Sequence, residues 1–506
     1  MKTVFVLFDS LNRKAMECYG GNEVKTPNFA RFAERAVTFD THYVGSLPCM
    51  PARRDMHTGR PSFLHRSWGP LEPFDNSFPE LFKQAGIYSH IITDHHHYFA
   101  DGGATYHNRF SSWEMVRGNG ADHWKAVVEP DMERYRRQFG AGQVRPYLAP
   151  YMINRDHIRA EADFSCPQVF GHALDFLETN HRSDNWFLQI ESFDPHEPFF
   201  APQRFRDQYP TGYSGPIIDW PTYGKVTEGP EEVAEIRANY SALVAMCDDY
   251  FGRLLDFFDE HDLWADTALV VSTDHGFLLG EHECWGKNLM PVFDEQARIP
   301  LMIYHPRHAQ RGGERRAALT QTVDLMPTFL DLYELPVPDE VRGKSLLPLM
   351  DTDAPLHEAV LYGYFGAACN ITDGRYTYFR YPEDMSADAL YEYTLMPTRM
   401  HQRFPLGQLA DMTLHPPFDF TKNISTLKVK PAANKNGRPG VMEGRDYIGT
   451  TTVLYDTEAD PGQLVPIVDP EIEGRLLAEM VRMFDALDAP PEMYQRFGLR
   501  PAAALQ

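Results

Sequence analysis

The sequence predicts an α/β protein in which helices flank a large, mostly parallel central sheet. Four apolar runs are typical of strands buried on both faces, and each run ends in residues able to bind a metal or an anion. The runs are TVFVLFD at Asp9, YSHIITDHHH at three histidines, NWFLQIESFDPHEPF near His196, and TALVVSTDHG at Asp274 and His275. Because ligands gather at the carboxyl ends of parallel strands, we expect these residues to share one site.

Amphipathic helices are predicted between the strands. From Glu231 to His261 apolar residues recur every three or four positions, which is typical of a long helix leading into the strand before Asp274. Shorter helices are predicted over 26–35 and 77–86, where a residue able to cap a helix stands at each start. A last helix is predicted over 470–487.

The pattern of the sequence changes after residue 365. NITDGRYTYFRYP alternates in the manner of an antiparallel strand, and TTVLYDTEADPGQ predicts a further strand and turn. The segment 382–450 is rich in proline, methionine and polar residues without a clear period, so we expect long loops there that serve a homo-oligomer, a dimer or tetramer. We therefore expect an α/β domain over 1–365 and a smaller α+β domain with an antiparallel sheet over 366–506.

Composition excludes several classes of partner. A formal net charge of −23 over 506 residues disfavours nucleic acids and anionic membranes. The apolar run in MKTVFVLFDS is too short for a secretory signal, and no run of about 18 apolar residues is available to span a membrane. The six scattered cysteines form no CxxC pair, which indicates a reduced protein and predicts the cytoplasm.

Cys49, Pro51 and Arg53 stand at alternate positions in SLPCMPARRDMHTGR. Pro51 suits the first turn of a helix, which places Cys49 at a helix N-terminus with outward-pointing backbone N–H groups. Arg53 then lies one turn away on the same face. We expect such a cysteine to have a lowered thiol pKa and to face an anion held by the arginine. The alternative is a buried, inert cysteine.

The surrounding sequence resembles the sulfatase family of the alkaline phosphatase superfamily. The similar segments are TPNFARFAERAVTFDTHYVGSLPCMPARRDMHTGRPSFLHR, DPHEPF, STDHGFLLGEHECWGK, FDEQARIPLMIYHP and LYDTEADPG, in the order expected for the family. In that family a formylglycine-generating enzyme oxidises the cysteine of CxPxR, and the hydrated aldehyde is the nucleophile. The resemblance implies that Cys49 is a precursor, that the fold is alkaline phosphatase-like, and that the substrate is a small anionic ester.

The resemblance also implies one divalent metal ion bound by Asp9, residue 49, Asp274 and His275. Many sulfatases have asparagine where this chain has His275, and two successive aspartates where it has Asp9 and Ser10. One imidazole and one fewer carboxylate shift the metal preference of the site from Ca²⁺ toward Mn²⁺, and both ions remain candidates. Simple capping of a strand end is the alternative role of the Asp-His-Gly turn.

Further site residues follow from the same resemblance. His196 matches the histidine near the leaving-group oxygen, and Lys287 matches the lysine that contacts the sulfate. TDHHHYF departs from the glycine, lysine, tryptophan and histidine that the family has there. If the backbone is extended, His95 and His97 share a face toward the anion and His96 points away. The alternative is that these histidines pack against or cap neighbouring loops.

The sequence thus predicts hydrolysis of a sulfate monoester. A phosphonate monoester hydrolase or phosphodiesterase with the same residues is the alternative, because these esters all carry one negative charge. A binding protein that keeps the fold with an unmodified Cys49 is a third hypothesis. The presence of the nucleophile, arginine, metal ligands, histidine and lysine together argues against it.

Overall fold

A computed structural model describes residues 1–140, 143–288, 291–432 and 448–501. The strands are β1 (Lys2–Phe8), β2 (Val37–Phe39), β3 (His42–Tyr43), β4 (Tyr88–Thr93), β5 (Ser112–Met115), β6 (Trp186–Ser192), β7 (Gly224–Lys225), β8 (Thr267–Thr273), β9 (Leu278–Leu279), β10 (Cys284–Gly286), β11 (Leu301–Tyr304), β12 (Arg315–Arg316), β13 (Thr320–Gln321), β14 (Val360–Gly363), β15 (Cys369–Thr372), β16 (Tyr376–Arg380), β17 (Glu392–Thr394), β18 (Thr413–His415), β19 (Thr426–Val429) and β20 (Val453–Asp456). The helices are α1 (Pro27–Ala33), α2 (Cys49–Thr58), α3 (Phe78–Gln84), α4 (Ala104–His107), α5 (Met132–Gln138), α6 (Ala149–Arg155), α7 (Ser165–Asn180), α8 (Gln203–Arg206), α9 (Pro230–Glu260), α10 (Asp294–Ala297), α11 (Leu325–Leu332), α12 (Leu406–Ala410), α13 (Pro470–Ala486) and α14 (Pro491–Arg496).

The central sheet has eight strands in the order β12-β2-β11-β8-β1-β6-β4-β5. Strand β1 pairs in parallel with β6 and β8, and β4 pairs in parallel with β5 and β6. Only β11 runs against its neighbours β2 and β8. The sheet is therefore mostly parallel, as predicted, and the four apolar runs of the sequence form its adjacent strands β8, β1, β6 and β4.

Helices cover both faces of this sheet. Val4 and Val6 of β1 pack toward α1, α7 and α9, whereas Phe5 and Leu7 pack toward α2, α3 and α11. All four side chains are at most 1% exposed. Burying each one contributes about 1.5–3 kcal/mol, which explains why β1 reads as a continuous apolar run instead of an alternating one.

The long helix α9 spans 31 residues, as its apolar spacing predicts. It also caps a second helix, because Asp248 accepts hydrogen bonds from the backbone N–H groups of Asn28 at 3.1 Å and Phe29 at 2.7 Å. These two N–H groups belong to the first turn of α1 and have no partner within their own helix. The helix α9 thus fixes the start of α1 against the same face of the sheet.

The C-terminal part contains a four-stranded antiparallel sheet, β14-β15-β16-β20, covered by α13. Strand β14 precedes the expected boundary at residue 365 and pairs with β15 after it; that boundary stays a prediction. Loops are predicted over 382–450, but the described part contains the small sheet β17-β19-β18. This expectation was wrong because strands of three or four residues leave no readable period. Residues 433–447 of the segment lie outside the described residues.

The six cysteines are all unpaired, and all but Cys18 are buried. Cys166 in α7 and Cys247 in α9 both belong to the core between these helices and the sheet. Within the described ranges, none of the helices combines the length and the apolar character that crossing a bilayer requires.

Candidate active site

Three neighbouring strands end at one edge of the central sheet, and two of them, β1 and β8, deliver Asp9, Asp274 and His275, which were predicted to bind a metal. Phe8 at the end of β1 lies opposite Ser192 of β6 and Thr273 of β8. Because these strands are parallel and in step, Asp9 and Asp274 leave the sheet side by side. The polar ends of the apolar runs thus converge, as expected for an open α/β sheet.

Asp9, Cys49, Asp274 and His275 form a compact, buried group whose candidate ligand atoms all lie within 4.8 Å of one another. Nε2 of His275 is 3.2 Å from Sγ of Cys49 and 3.3 Å from a carboxylate oxygen of Asp274. Nδ1 of His275 is 3.0 Å from the carbonyl oxygen of Gly276. This contact assigns the ring proton to Nδ1, so the lone pair of Nε2 faces the group.

This donor set fits a divalent cation. Burial, and then the charge of Asp9, raise the pKa of Asp274 far above its ordinary value, because two adjacent carboxylates in a dry site repel each other. Among the described residues Oδ2 of Asp9 accepts no hydrogen bond, although Nη2 of Arg53 is 3.1 Å away. Two carboxylates and one imidazole are ligands that divalent transition metals accept.

Cys49 is the first residue of α2, one position before the predicted start near Met50. The predicted lowering of its thiol pKa is wrong. Burial, and then the negative charges of Asp9 and Asp274, raise this pKa well above its usual value, and Lys287 and Arg53 offset only part of the rise. A thiol that stays protonated is a poor nucleophile, so the helix N-terminus does not by itself activate Cys49.

Arg53 lies at the centre of the site and is only 1% exposed. Its Nε donates to Oε1 of Glu191 at 2.7 Å, and its Nη1 donates to Oδ2 of Asp274 at 2.5 Å and to the carbonyl oxygen of Cys49 at 3.1 Å. Its Nη2 is 3.1 Å from Asp9. The guanidinium is therefore held among three carboxylates and does not line the cavity, whereas the sequence predicts that it holds an anion there.

Lys287 reaches the same carboxylates from the other side. Its Nζ donates to Oγ of Ser10 at 2.8 Å and is 3.5 Å from Asp9 and 3.6 Å from Glu197. Ser10 in turn donates to Oδ1 of Asp9 at 2.8 Å. Burial alone would lower the pKa of Lys287, but the negative groups around it raise the pKa, so the ammonium stays charged at neutral pH.

His196 lies on the pocket wall, and its ring stacks on Phe193 at 4.0 Å between centroids. Its Nδ1 is 2.5 Å from the carbonyl oxygen of Glu197, which places the ring proton on Nδ1. Burial, and then the charge of Lys287, lower the pKa of His196 well below its usual value. The ring is therefore neutral near pH 7, and Nε2 carries a proton only when the ring is protonated.

The three histidines after β4 lie differently from the expectation. The backbone turns into a 3-10 helix over His96–Phe99, so side chains do not alternate as they do on a strand. His95 is fully buried with its Nε2 3.7 Å from Asp9, whereas His96 and His97 both line the pocket. The expectation that His96 points away is wrong for this reason.

The site opens into a cavity of about 520 Å³. Cys49, His196 and Lys287 line it together with large aromatic side chains from Trp68, Phe193, Trp220 and Tyr223. Glu191 was not predicted as a site residue, although it lies one residue before the end of β6. His401 on the cavity wall was not predicted either, because its segment has no clear pattern.

The fold and the buried donor set define an α/β protein with a group of side chains able to hold a divalent cation beside a buried, charged lysine. A sequence profile described as sulfatase matches residues 2–335, and one described as N-sulphoglucosamine sulphohydrolase, C-terminal, matches residues 280–415. The first match spans more than half of the chain. The chain belongs to the sulfatase family, which confirms the resemblance inferred from the motifs.

Relatives and solved structures agree with this assignment. N-acetylglucosamine-6-O-sulfatase of Bacteroides thetaiotaomicron is 24% identical over 443 residues, covering 72% of this chain and 74% of the relative. The structure of BT4656 in complex with its substrate D-glucosamine-2-N,6-O-disulfate superposes with a TM-score of 0.66 at 18% identity, covering 97% of this chain and 99% of that one. Phosphonate monoester hydrolase of Agrobacterium radiobacter gives a TM-score of 0.65 at 16% identity, with coverages of 96% and 95%.

These comparisons confirm the predicted fold, a mostly parallel sheet between helices followed by a smaller part with antiparallel sheets. The family and its named members make the chain a sulfuric ester hydrolase. The family in general uses a divalent metal ion and a formylglycine, and the donor group around Asp9 is able to bind such an ion.

Proposed function

We propose that the protein hydrolyses a sulfate monoester by means of a formylglycine formed from Cys49 and one divalent metal ion held by Asp9, Asp274 and His275. The observation that carries this proposal is the convergence of the candidate ligand atoms of these four side chains within 4.8 Å, beside a cavity that Cys49 lines. When present, the ion and the hydrated aldehyde supply a Lewis acid and a nucleophile.

The other side chains bind and orient the ester. Lys287 stays charged and offers its ammonium to the sulfate oxygens at the cavity wall. Arg53 offsets the negative charge of the carboxylates, which lets an anion approach them. His196 contacts the leaving-group oxygen. His97 lines the cavity and contacts the ester there. His95 is buried, and its Nε2 lies 3.7 Å from a carboxylate oxygen of Asp9.

The state of Cys49 supports a precursor role. Its raised thiol pKa leaves little thiolate at neutral pH, so the unmodified side chain would be a weak nucleophile. Its side chain is 2% exposed, so we infer that a formylglycine-generating enzyme reaches it before the chain is folded.

The mass of the tryptic peptide that contains Cys49 tests the modification. We expect a lower mass, corresponding to thiol-to-aldehyde conversion, in protein that hydrolyses an aryl sulfate. Cys49→Ser is the matched control, because serine can form an ester but lacks the aldehyde needed to release it. An active preparation with fully unconverted Cys49 would overturn the proposal.

Hydrolysis of phosphonate monoesters or phosphodiesters is the second candidate function, favoured by the structural similarity to the phosphonate monoester hydrolase. Both ester classes present one negative charge to Lys287. The test compares kcat/KM for 4-nitrophenyl sulfate and 4-nitrophenyl phenylphosphonate with the same converted preparation. A strong preference for the phosphonate would reverse the order of the two candidates.

The metal that we propose is Mn²⁺, with Ca²⁺ as the alternative. The support is the imidazole of His275, whose Nε2 faces the carboxylates, since Ca²⁺ prefers sites built from oxygen alone. Metal analysis of the purified protein by mass spectrometry decides between the two ions.

We further propose a cytoplasmic homo-oligomer, either a dimer or a tetramer. The unpaired cysteines support a reducing compartment. The exposed side chains of Leu406, Leu414 and Ile424, in the segment predicted to mediate assembly, support an oligomer, because large apolar groups are otherwise mostly covered. Light scattering on the purified protein gives the number of subunits.

A further inference from the structure

Glu197 follows His196 directly in the motif DPHEPF, and the proposed function gives it no role. Its side chain is 1% exposed and lines the cavity, on the loop that follows β6. Burying a carboxyl group is costly unless charged or hydrogen-bonding partners face it. The partners of Glu197 therefore indicate which part of the site depends on it.

Three elements of the fold each bring a partner to this carboxyl group. Oε1 accepts a hydrogen bond from the hydroxyl of Tyr223, which precedes β7. Oε2 is 3.6 Å from Nζ of Lys287, which follows β10, and 3.4 Å from Nδ1 of His196 on its own loop. The loop of His196, the segment before β7 and the residue after β10 thus meet at Glu197.

The position of Tyr223 depends on a glycine next to Lys287. Gly286 has a φ of +113°, in the left-handed range, and an added Cβ would lie 2.6 Å from Cγ of Tyr223. A larger residue at this position would therefore be strained and would push the ring away. The ring also packs edge to face against Phe277, with 5.6 Å between the centroids. This close packing fixes the tyrosine hydroxyl on Glu197.

His196 meets two acceptor oxygens of Glu197 at one ring nitrogen. Its Nδ1 is 2.5 Å from the carbonyl oxygen of Glu197 and 3.4 Å from the carboxyl oxygen Oε2. The stacking on Phe193 fixes the plane of the ring. Since the ring lines the cavity and the Nδ1 hydrogen is directed to Glu197, Nε2 is the ring nitrogen available to the substrate.

A neutral ring held in this way cannot protonate a leaving group through Nε2. Burial, and then the charges of Lys287 and His275, lower the pKa of His196, while Asp9 and the carbonyl oxygen of Glu197 oppose this fall. A second proton on the ring is therefore repelled by the ammonium of Lys287. Two negative groups offset that repulsion, namely the carboxylate of Glu197 and a sulfate bound at Lys287.

We propose that Glu197 is a positioning residue that orients His196 through Nδ1 and stabilises its protonated ring, so that Nε2 donates a proton to the leaving alcohol. The inference rests on the proposed function, because it concerns cleavage of the same ester.

The proposed step moves one proton and one electron pair. As the bond between sulfur and the alcohol oxygen breaks, its electron pair remains on that oxygen, which takes the Nε2 proton of His196. The sulfur passes to the nucleophile at residue 49. The ring becomes neutral and keeps its Nδ1 hydrogen on Glu197, and a proton from the solvent restores it before the next turnover.

The same carboxyl group also competes with the substrate for Lys287. Removing its charge should strengthen the binding of sulfate by the ammonium and weaken the protonated form of His196. The first effect concerns the sulfate group, which every substrate ester carries. The second depends on how strongly the leaving alcohol needs a proton, so a change of leaving group separates the two.

The test compares kcat/KM for phenyl sulfate and 4-nitrophenyl sulfate, using the converted enzyme, in which residue 49 is formylglycine. Phenolate is strongly basic and needs a proton to leave, whereas 4-nitrophenolate is a stable anion. Changes in sulfate binding cancel in the ratio of the two values. We expect Glu197→Gln to lower kcat/KM for phenyl sulfate at least about tenfold more than that for the nitrophenyl ester, because general acid catalysis contributes about 10²–10⁴-fold.

Glu228→Gln is the matched control. Glu228 accepts a hydrogen bond from Nε1 of Trp285 in β10 at 2.8 Å and is not among the described residues that line the cavity. We expect this control to leave the ratio unchanged. Tyr223→Phe removes the hydroxyl that holds Oε1 of Glu197, and we expect a smaller change of the ratio in the same direction. It replaces Glu197→Gln in the test if that variant does not fold.

His196→Gln shows whether Glu197 acts through the histidine. We expect His196→Gln to change the ratio in the same direction, and Glu197→Gln to add nothing in that background. A ratio that Glu197→Gln leaves unchanged, or changes equally with and without His196, would overturn the role of Glu197 while sulfate hydrolysis stands. A converted wild-type enzyme that hydrolyses neither ester would instead remove the proposed function, and this inference with it.

Discussion

Glu191 accepts the Nε hydrogen of Arg53 at 2.7 Å, and both side chains are almost completely buried. The second oxygen of Glu191 accepts from the hydroxyl of Tyr98 at 2.9 Å and from the amide of Gln189 at 3.0 Å. Tyr98 follows the three site histidines directly. One carboxylate on β6 therefore fixes both the central arginine and the loop that carries His95–His97.

Replacing Glu191 by glutamine should damage both stability and activity. The amide would have to turn its NH₂ group toward a donor, either Arg53 or Tyr98, and the buried guanidinium would lose a counter-charge. Breaking a buried ion pair in this way costs about 3–5 kcal/mol. Urea unfolding measures the loss of stability, and kcat/KM for an aryl sulfate should fall in the same variant.

Tyr98→Phe is the matched control for Glu191, because it removes one hydrogen bond to the carboxylate and keeps the charge pair. We expect it to cost less, about 1.5–3 kcal/mol. If both variants lower the free energy of unfolding by the same amount, the ion pair with Arg53 does not account for the stabilising effect of Glu191.

Cys49→Ala and Arg53→Ala should both abolish turnover but should differ in stability. Alanine at position 49 removes a small buried thiol at the end of a helix. Alanine at position 53 leaves Asp9, Glu191 and Asp274 without their shared counter-charge, which costs about 3–5 kcal/mol. Thermal melts of metal-free protein make the comparison, and equal melting temperatures would contradict the central placement of Arg53.

Much of the candidate metal-binding group was predictable from the sequence, because Asp9, Asp274 and His275 directly follow strands. A strand buried on both faces needs an unbroken apolar run, so the polar residue that ends the run marks the sheet edge. This argument finds Asp9, Asp274 and His275 without a structure. It also predicts the sheet, since β8, β1, β6 and β4 all come from such runs.

The other features of the site depend on tertiary contacts and were not predictable from the sequence. The raised thiol pKa of Cys49 reflects burial and nearby carboxylates, and neither is visible in the local helix signal. His96 turned out to line the cavity because the backbone after His95 forms a 3-10 turn. His401 lies in a segment with no hydrophobic period, where strands of three or four residues are held by pairing with distant partners.

The metal should stabilise the fold as well as support turnover. A cation between Asp9 and Asp274 offsets the repulsion that raises the pKa of Asp274. An ion at about 100 times its Kd adds about 2.7 kcal/mol to the free energy of unfolding. We expect EDTA to abolish turnover and lower the melting temperature, and Mn²⁺ to restore both better than Ca²⁺.

His275→Asn provides the sharper test of metal choice. Exchanging the imidazole for an amide oxygen gives a donor set of oxygen atoms apart from residue 49, which favours Ca²⁺. The order of the two ions in the melting assay should therefore reverse in this variant. An unchanged order would mean that His275 does not contact the metal.

A buried pair of carboxyl groups, those of Asp94 and Asp194, should make stability depend on pH. The side-chain amide of Asn119 donates to Asp94 at 3.0 Å and to Asp194 at 3.3 Å, which links the loop of His95 to that of His196. Burial raises the pKa of Asp94 to about 6, and burial followed by the charge of Asp94 raises the pKa of Asp194 well above its usual value.

Asp194→Asn should therefore gain stability relative to the wild type as the pH rises. Above about pH 4 the unfolded chain releases these protons while the folded protein retains them, so the wild type loses stability up to at least about pH 6. Asparagine at position 194 resembles the protonated carboxyl group and cannot ionise, which removes its share of that loss. Urea unfolding at about pH 5 and pH 8 measures the difference, with exposed Asp411→Asn as the control. A constant difference between variant and wild type would show that Asp194 is not held protonated in the folded protein.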